Sequence, residues 1–269
     1  MSKTTPVPDL ARAPVPAPPS ARTRQPAGAP PPRPAPDPRQ NRLLAALPDE
    51  DFLRWRPQLG AIEIPVGQVL HEAGETLAYG YFPTTAVVSL QYVTADGASA
   101  GIAQIGNEGV VGTSIFMGGG STPSRAVVQS AGSCFRMPAS ALRAEFSRSR
   151  AVMRILLRYT QALIAQMSQI AACNRHHSID QQLCRWLLFS LDRLPGNDLA
   201  VTQELIAQFL GVRREGVTEA ALALQRAKLI SYRRGHVTVL DRSGLEHRSC
   251  ECYAVVKAEY DRLLSSIEP

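Results

Sequence analysis

The stretch from Ser149 to Asn174 most constrains what this chain can fold into: it contains neither proline nor glycine and repeats its apolar residues at helical spacing. Met153, Leu157, Thr160, Ile164, Met167 and Ala171 step by four and three residues. Val152, Leu156, Tyr159, Leu163, Gln166 and Ile170 form a neighbouring stripe. Such steps place side chains on one face of an α-helix, and two stripes mean two buried faces. One face can lie on a domain core while the other pairs with a second copy of the helix in a coiled-coil-like seam. Burial of the whole helix inside a single domain is the alternative.

Ahead of this helix the texture changes twice. Residues 1–40 hold thirteen of the twenty-one prolines and few bulky apolar side chains, a composition that predicts a disordered tail. The tail carries Lys3, Arg12, Arg22, Arg24, Arg33 and Arg39 against Asp9 and Asp37, so +4 of the formal net charge of +6 lies there. A basic balance favours a polyanionic partner such as DNA, RNA or an anionic membrane surface, but most of this excess sits outside the folded sequence. Two short helices are predicted around Leu43, Leu44, Leu47, Phe52 and Leu53, broken at Pro48. From Ile62 to Met137 come short β-rich runs (Ile62–Val66, Val87–Val93, Gly101–Ile105 and Arg125–Gln129) punctuated by glycines, which predicts a β-sandwich or roll. Asp96-Gly97 marks a hairpin turn, since both residue types tolerate positive φ.

Behind the long helix, a further helix over Ser178–Leu194 is predicted to stop at Pro195-Gly196. Thr202 then caps a short amphipathic helix with Leu205, Ile206, Phe209 and Leu210 on its apolar side. Gly211 permits a sharp turn, and a second helix, Arg214–Lys228, is expected to face Val217, Ala221, Leu222 and Leu224 inward. Ala207 is small where the two helices cross, and Val212 and Val217 fill the wedge. This is a helix-turn-helix pattern with Arg213, Arg214, Glu215, Thr218 and Glu219 at the start of the second helix, where a major groove can be entered. Arginine can donate two bonds to guanine and glutamate can accept from cytosine. A β-hairpin follows, with Arg233-Arg234-Gly235 at its tip, making a winged helix. Between Leu199 and Leu240 six basic residues face three acidic ones, an excess placed where phosphates would lie. Ser243–Leu264 reads as one more helix.

On these residues, positions 41–242 resemble the Crp/Fnr superfamily of bacterial transcription regulators. The most specific stretch is Gln203-Glu-Leu-Ile-Ala-Gln-Phe-Leu-Gly-Val-Arg-Arg-Glu-Gly-Val-Thr-Glu219, with its Leu-Gly turn and Arg-Glu pair. The resemblance implies an α+β chain divided as follows: a tail over 1–40, a cyclic-nucleotide-binding-like β-roll (jelly roll) over 41–147, a dimerisation helix over 148–174, a winged helix-turn-helix over 178–242 and a C-terminal helix over 243–269. It implies a cytoplasmic homodimer that binds double-stranded DNA and works with RNA polymerase. The base-reading role passes to Arg214 and Glu215, and a third reading position, often basic in the family, falls on Glu219. Thr202, Gln203, Arg213, Thr218, Arg233 and Arg234 complete the expected DNA-facing set.

Where cyclic-nucleotide-binding members have glycine-glutamate and, about ten residues on, arginine-serine-alanine, this chain has Gly112-Thr113-Ser114 and Ser124-Arg125-Ala126. Both charged ligands are out of register. Gly112, Thr113, Ser114, Ser124 and Arg125 therefore mark an effector pocket open to three readings: cyclic AMP or GMP through a shifted cassette, another small-molecule effector, or a roll that works without ligand. Cys173, His176, His177, Cys184 and Cys250-x-Cys252 are metal-ligand types, but their spacings do not form paired Cys-x2-Cys clusters, so they read as structural and no metal or cofactor is assigned. A metal or redox sensor is the alternative. No nucleophile elbow, Walker loop or paired metal motif is present, which argues against an enzyme. No stretch is long and apolar enough for a membrane span.

Overall fold

The computed structural model describes residues Asp37–Leu264. The tail expected over 1–40 lies outside the described residues as far as position 36, and so do positions 265–269. Within 37–40 the chain is ordered: Pro38–Gln40 forms a 3-10 turn, and the Asp37 carboxylate accepts from the Arg39 amide at 3.0 Å.

Two short helices follow, α1 (Arg42–Ala45) and α2 (Asp49–Trp55), separated at Pro48. Asn41 is fully buried and holds this entry in place. Its side-chain oxygen accepts from the Leu43 and Leu44 amides, and its amide donates to the carbonyls of Pro83 and Gly109.

Seven strands then build a two-sheet roll: β1 (Gly60–Ile64), β2 (Val69–His71), β3 (Tyr79–Pro83), β4 (Val87–Val93), β5 (Ser99–Ile105), β6 (Ser124–Ser130) and β7 (Gly132–Pro138). One sheet runs β1-β7-β3 and the other β2-β6-β4-β5, with antiparallel neighbours. Alternate residues Val88 and Leu90, Ala103 and Ile105, and Ala126 and Val128 enter the core, as the two-residue period of a strand requires. The hairpin between β4 and β5 turns at the expected Asp96-Gly97, but only Gly97 takes positive φ, at 85°.

The outer face of the four-stranded sheet is covered. Helix α3 (Ala139–Arg148), for which the sequence pattern carries no expectation, leads through an extended Ser149 into α4 (Arg150–His176). Then come α5 (Ile179–Leu191), β8 (Asp198–Ala200), α6 (Gln203–Leu210), α7 (Arg214–Arg226), β9 (Ile230–Arg233), β10 (His236–Val239), α8 (Arg242–Arg248) and α9 (Cys252–Leu264). The single helix expected over Ser243–Leu264 is thus two, broken at Ser249-Cys250-Glu251, and the second packs along α4.

A buried polar layer joins the roll to these helices. Gln166 of α4 accepts from the Gln104 amide at 2.7 Å and donates to the Tyr260 hydroxyl at 2.9 Å. Gln129 bridges Gln104 and Ser190 at 2.9 Å each. Arg193 and Glu108 form an ion pair of 2.8 Å with both side chains 6% exposed. Each partner satisfies the other, so removing one would strand a buried charge.

The two stripes of α4 part company only in part. Val152, Leu156, Tyr159, Leu163, Gln166 and Ile170 are buried. Of the other stripe Met153, Leu157 and Ile164 are 37%, 48% and 53% exposed and Ala171 is exposed, but Thr160 is buried and Met167 packs partly buried against the core.

Candidate nucleic-acid interface

Helix α6 begins where Thr202 accepts from the Leu205 amide and ends at Gly211, whose φ of 66° lets the chain turn sharply into α7. Val217, Ala220, Ala221 and Leu224 are buried at steps of three and four, and Ile206, Ala207, Phe209 and Leu210 of α6 are buried as well. Leu222, expected inside, is 44% exposed, because Ala220 occupies the inward position beside Ala221. A hydrogen bond of 2.9 Å from the Thr218 hydroxyl to the Gln203 side chain pins the two helices together. The same hydroxyl hydrogen is shared with the Arg214 carbonyl at 3.0 Å, so Thr202, Gln203 and Thr218 set the geometry of the motif as well as lining its surface.

The wing is a three-stranded sheet in the order β8-β10-β9, one strand more than the two expected. Its tip is the two-residue turn Arg234-Gly235, with φ of 48° and 81°. Positive φ at both positions is the geometry that matches strand twist in a tight hairpin. An arginine in that conformation costs about 1–2 kcal/mol relative to the right-handed one. The wing is fastened to α7 by the Tyr232 amide donating to Gln225 at 2.8 Å, and to β8's exit by the Tyr232 hydroxyl donating to the Val201 carbonyl at 3.0 Å. Burial pushes the Tyr232 phenol above its usual range, against the opposing pull of Arg214, so it stays a neutral donor.

Between the two helices and the wing lies a groove of about 550 Å³, bordered by Thr202, Gln203, Arg214, Thr218, Tyr232 and Arg234 among others. Arg213, Glu215, Glu219 and Arg233 are exposed beside it. Five of the nine expected DNA-facing residues thus line one groove and the other four flank it. None of Arg213, Arg214, Arg233 and Arg234 enters any of the ion pairs found among the described residues.

The motif is seated on its own roll. An added Cβ at Gly101 in β5 would fall 2.2 Å from the Phe209 ring, so only glycine lets α6 approach this strand. By sequence Gly101 is an ordinary strand residue, and nothing local marks this seat, because the contact joins positions more than a hundred residues apart.

The expected effector positions are engaged within the roll except for the Ser114 hydroxyl and the Arg125 Nε, which lack hydrogen-bond partners among the described residues. Gly112 takes φ of 107° at the entry of a 3-10 turn over Thr113–Ile115. Ser124 is buried and shares a hydrogen bond of 3.0 Å with Thr122. Arg125 lies 3.6 Å from the Glu72 carboxylate, an ion-pair contact too long for a hydrogen bond. Ser114 keeps a buried hydroxyl without a protein partner.

Of the metal-ligand residue types, Cys134 and Cys184 are buried with the main core residues and His176 is exposed. Cys173, Cys250 and Cys252, which the spacings leave as separate structural residues, meet one another and His177.

With this geometry in hand, residues 181–248 match the family model described as a Crp-like helix-turn-helix domain. Among solved structures, FixK2 from Bradyrhizobium japonicum superimposes with a TM-score of 0.60 at 17% identity, covering 71% of this chain and 98% of that one. A CRP-family transcriptional regulator from Thermus thermophilus gives 0.59 at 17%, covering 70% and 96%. The c-di-GMP responsive global regulator CLP from Xanthomonas campestris gives 0.57 at 15%, covering 71% and 99%. No curated protein sequence matches the chain. The chain therefore has the fold seen in Crp/Fnr transcription regulators. Its C-terminal part carries a Crp-like helix-turn-helix domain. Among the described residues no helix is long and apolar enough to cross a membrane.

Proposed function

We propose that the chain is a homodimeric, effector-modulated transcription regulator that binds double-stranded DNA through α6, α7 and the wing. The observation that carries this reading is the set of four exposed arginines, Arg213, Arg214, Arg233 and Arg234, free of internal ion pairs around one groove on a Crp-like motif. Arg214 and Glu215 read base edges, and Arg233 and Arg234 hold phosphates. Glu219 in place of a base-reading cation gives a target sequence different from the best-known family site.

The exposed stripe of Met153, Leu157 and Ile164 supports pairing of α4 with a second copy, with residues 41–147 as effector half and 178–242 as DNA-binding half. The effector acts by population shift, with His177 and Ser178, extended between α4 and α5, as hinge. Because Arg125 is engaged by Glu72, the effector is not a cyclic nucleotide held through the usual phosphate cassette. RNA polymerase is the further partner such a regulator engages in the cytoplasm.

Duplex titrations at several salt concentrations, with sedimentation on the same samples, test this reading. A dimer whose affinity falls steeply with salt supports it, and Leu157→Glu should yield monomers with weakened binding. Salt-independent binding, or none, would contradict it.

A further inference from the structure

At the C-terminal end of α4, Cys173 and His177 stand one helical turn apart, and the His177 amide still donates to the Cys173 carbonyl at 3.0 Å. The break between α8 and α9 brings Cys250 and Cys252 against them. The Cys173 and Cys250 sulfurs are 3.5 Å apart, the Cys252 sulfur is 3.4 Å from His177 Nδ1, and the four donor atoms all lie within 4.8 Å of one another. Tetrahedral zinc bonds of about 2.3 Å to sulfur and about 2.0 Å to nitrogen place neighbouring donor atoms roughly 3.5–3.8 Å apart. A set this tight encloses one ion.

We propose that Cys173, His177, Cys250 and Cys252 form a site for a single zinc-class thiophilic metal ion that clamps the end of the long helix to the start of the last one.

The surroundings are those of a built site. His177 turns Nδ1 to the sulfurs while Nε2 faces the Glu251 carboxylate at 3.4 Å, the outer-shell partner that fixes a ligating imidazole. Gln169 donates to the Cys252 sulfur at 3.1 Å, an acceptor role suited to a thiolate. Arg185 is 1% exposed, none of its three guanidinium nitrogens has a hydrogen-bond partner among the described residues, and its charge bears on Cys173. Three thiolates, a neutral imidazole and a divalent ion sum to one negative charge, the counter-charge this buried cation lacks. Cys134 and Cys184 stand apart from the cluster, their thiols pushed up to about 12 by burial, so they serve as controls.

The clamp spans the turn at His177-Ser178 between α4 and α5. Its occupancy therefore fixes how the winged helix sits on α4 and makes duplex affinity metal-dependent. That consequence rests on the DNA-binding reading; the site itself does not.

The test uses the full chain, purified without a tag, reduced, stripped with a chelator and titrated with cobalt(II) and then zinc(II). The expected result is one ion per chain, with the visible absorption of a tetrahedral cobalt thiolate that zinc abolishes. Cys252→Ser and the half-buried His177→Ala should each weaken binding at least tenfold while circular dichroism reports an intact fold. Cys134→Ser should bind as the parent does. Binding well below one ion per chain, an octahedral cobalt spectrum, full affinity in folded Cys252→Ser, or conversion of Cys173 and Cys250 to a disulfide in place of metal uptake would overturn the site. In a second arm the zinc-loaded and stripped proteins are titrated with duplex DNA. At least a fivefold loss on stripping supports the clamp's control of binding, and equal affinities overturn that control while the cobalt arm judges the site. Absence of duplex binding in both forms contradicts the DNA-binding reading instead.

Discussion

Two polar regions of the molecule, the end of the roll around residues 112–125 and the groove of the winged helix, use similar residues in opposite ways. In the roll, Arg125 leans on Glu72 and Ser124 shares its hydroxyl with Thr122. In the winged helix, the internal hydrogen bonds of Thr218, Tyr232 and Gln225 hold the scaffold rigid, and the arginines project without ion-pair partners. Side chains that neutralise one another need no ligand, whereas four unpaired cations on a fixed frame present a complement to a polyanion.

The contrast breaks most visibly at Arg214. Arg214→Ala is expected to weaken binding to the preferred duplex by about 1–3 kcal/mol with dimerisation unchanged, measured by fluorescence anisotropy beside sedimentation. Unchanged affinity would make Arg214 part of an ordinary solvated surface. Thr218→Val removes the bond that spans α6 and α7, and chemical denaturation should show a loss of about 1 kcal/mol. No loss would mean that apolar packing alone fixes the motif. Arg234→Gly separates strain from function at the wing tip. It relieves a conformation costing about 1 kcal/mol, so stability should rise. It should also weaken all duplexes alike and lower the salt slope by about 1. The smallest effect is expected in the roll: Arg125→Ala breaks a half-exposed pair worth under about 1 kcal/mol and leaves duplex affinity unchanged. Calorimetry with cyclic AMP and cyclic GMP should show no heat in the parent. Heat that vanishes in Arg125→Ala would restore the phosphate cassette and erase the contrast.

Local order was legible in the sequence, and distant contact was not. The Gly211 turn, the Thr202 cap, the tip at Arg234-Gly235 and the uninterrupted α4 follow from backbone rules acting over a few residues. The same rules misplaced Leu222, since a neighbouring alanine took the buried step. They also ran α8 and α9 together, because nothing local in Ser249-Cys250-Glu251 demands a break. The outer face of β5 looked like an ordinary strand face, yet Gly101 receives Phe209 and Gln104 joins a buried network with Gln129, Gln166 and Ser190. The four donor residues of the cysteine-histidine cluster are metal-ligand types by sequence yet read as structural, for the same reason. The winged helix intervenes between His177 and Cys250, so no short spacing signals that they meet.

The central claim is that Arg214 reads a base edge from a motif held rigid by its own hydrogen bonds. Its most direct test is selection of bound duplexes from a random pool by the parent and by Arg214→Ala. The account predicts an enriched two-fold motif with half-sites about one helical turn apart, and loss of preference at one position per half-site in the variant. No enrichment by the parent, or an unchanged motif in the variant, would contradict it.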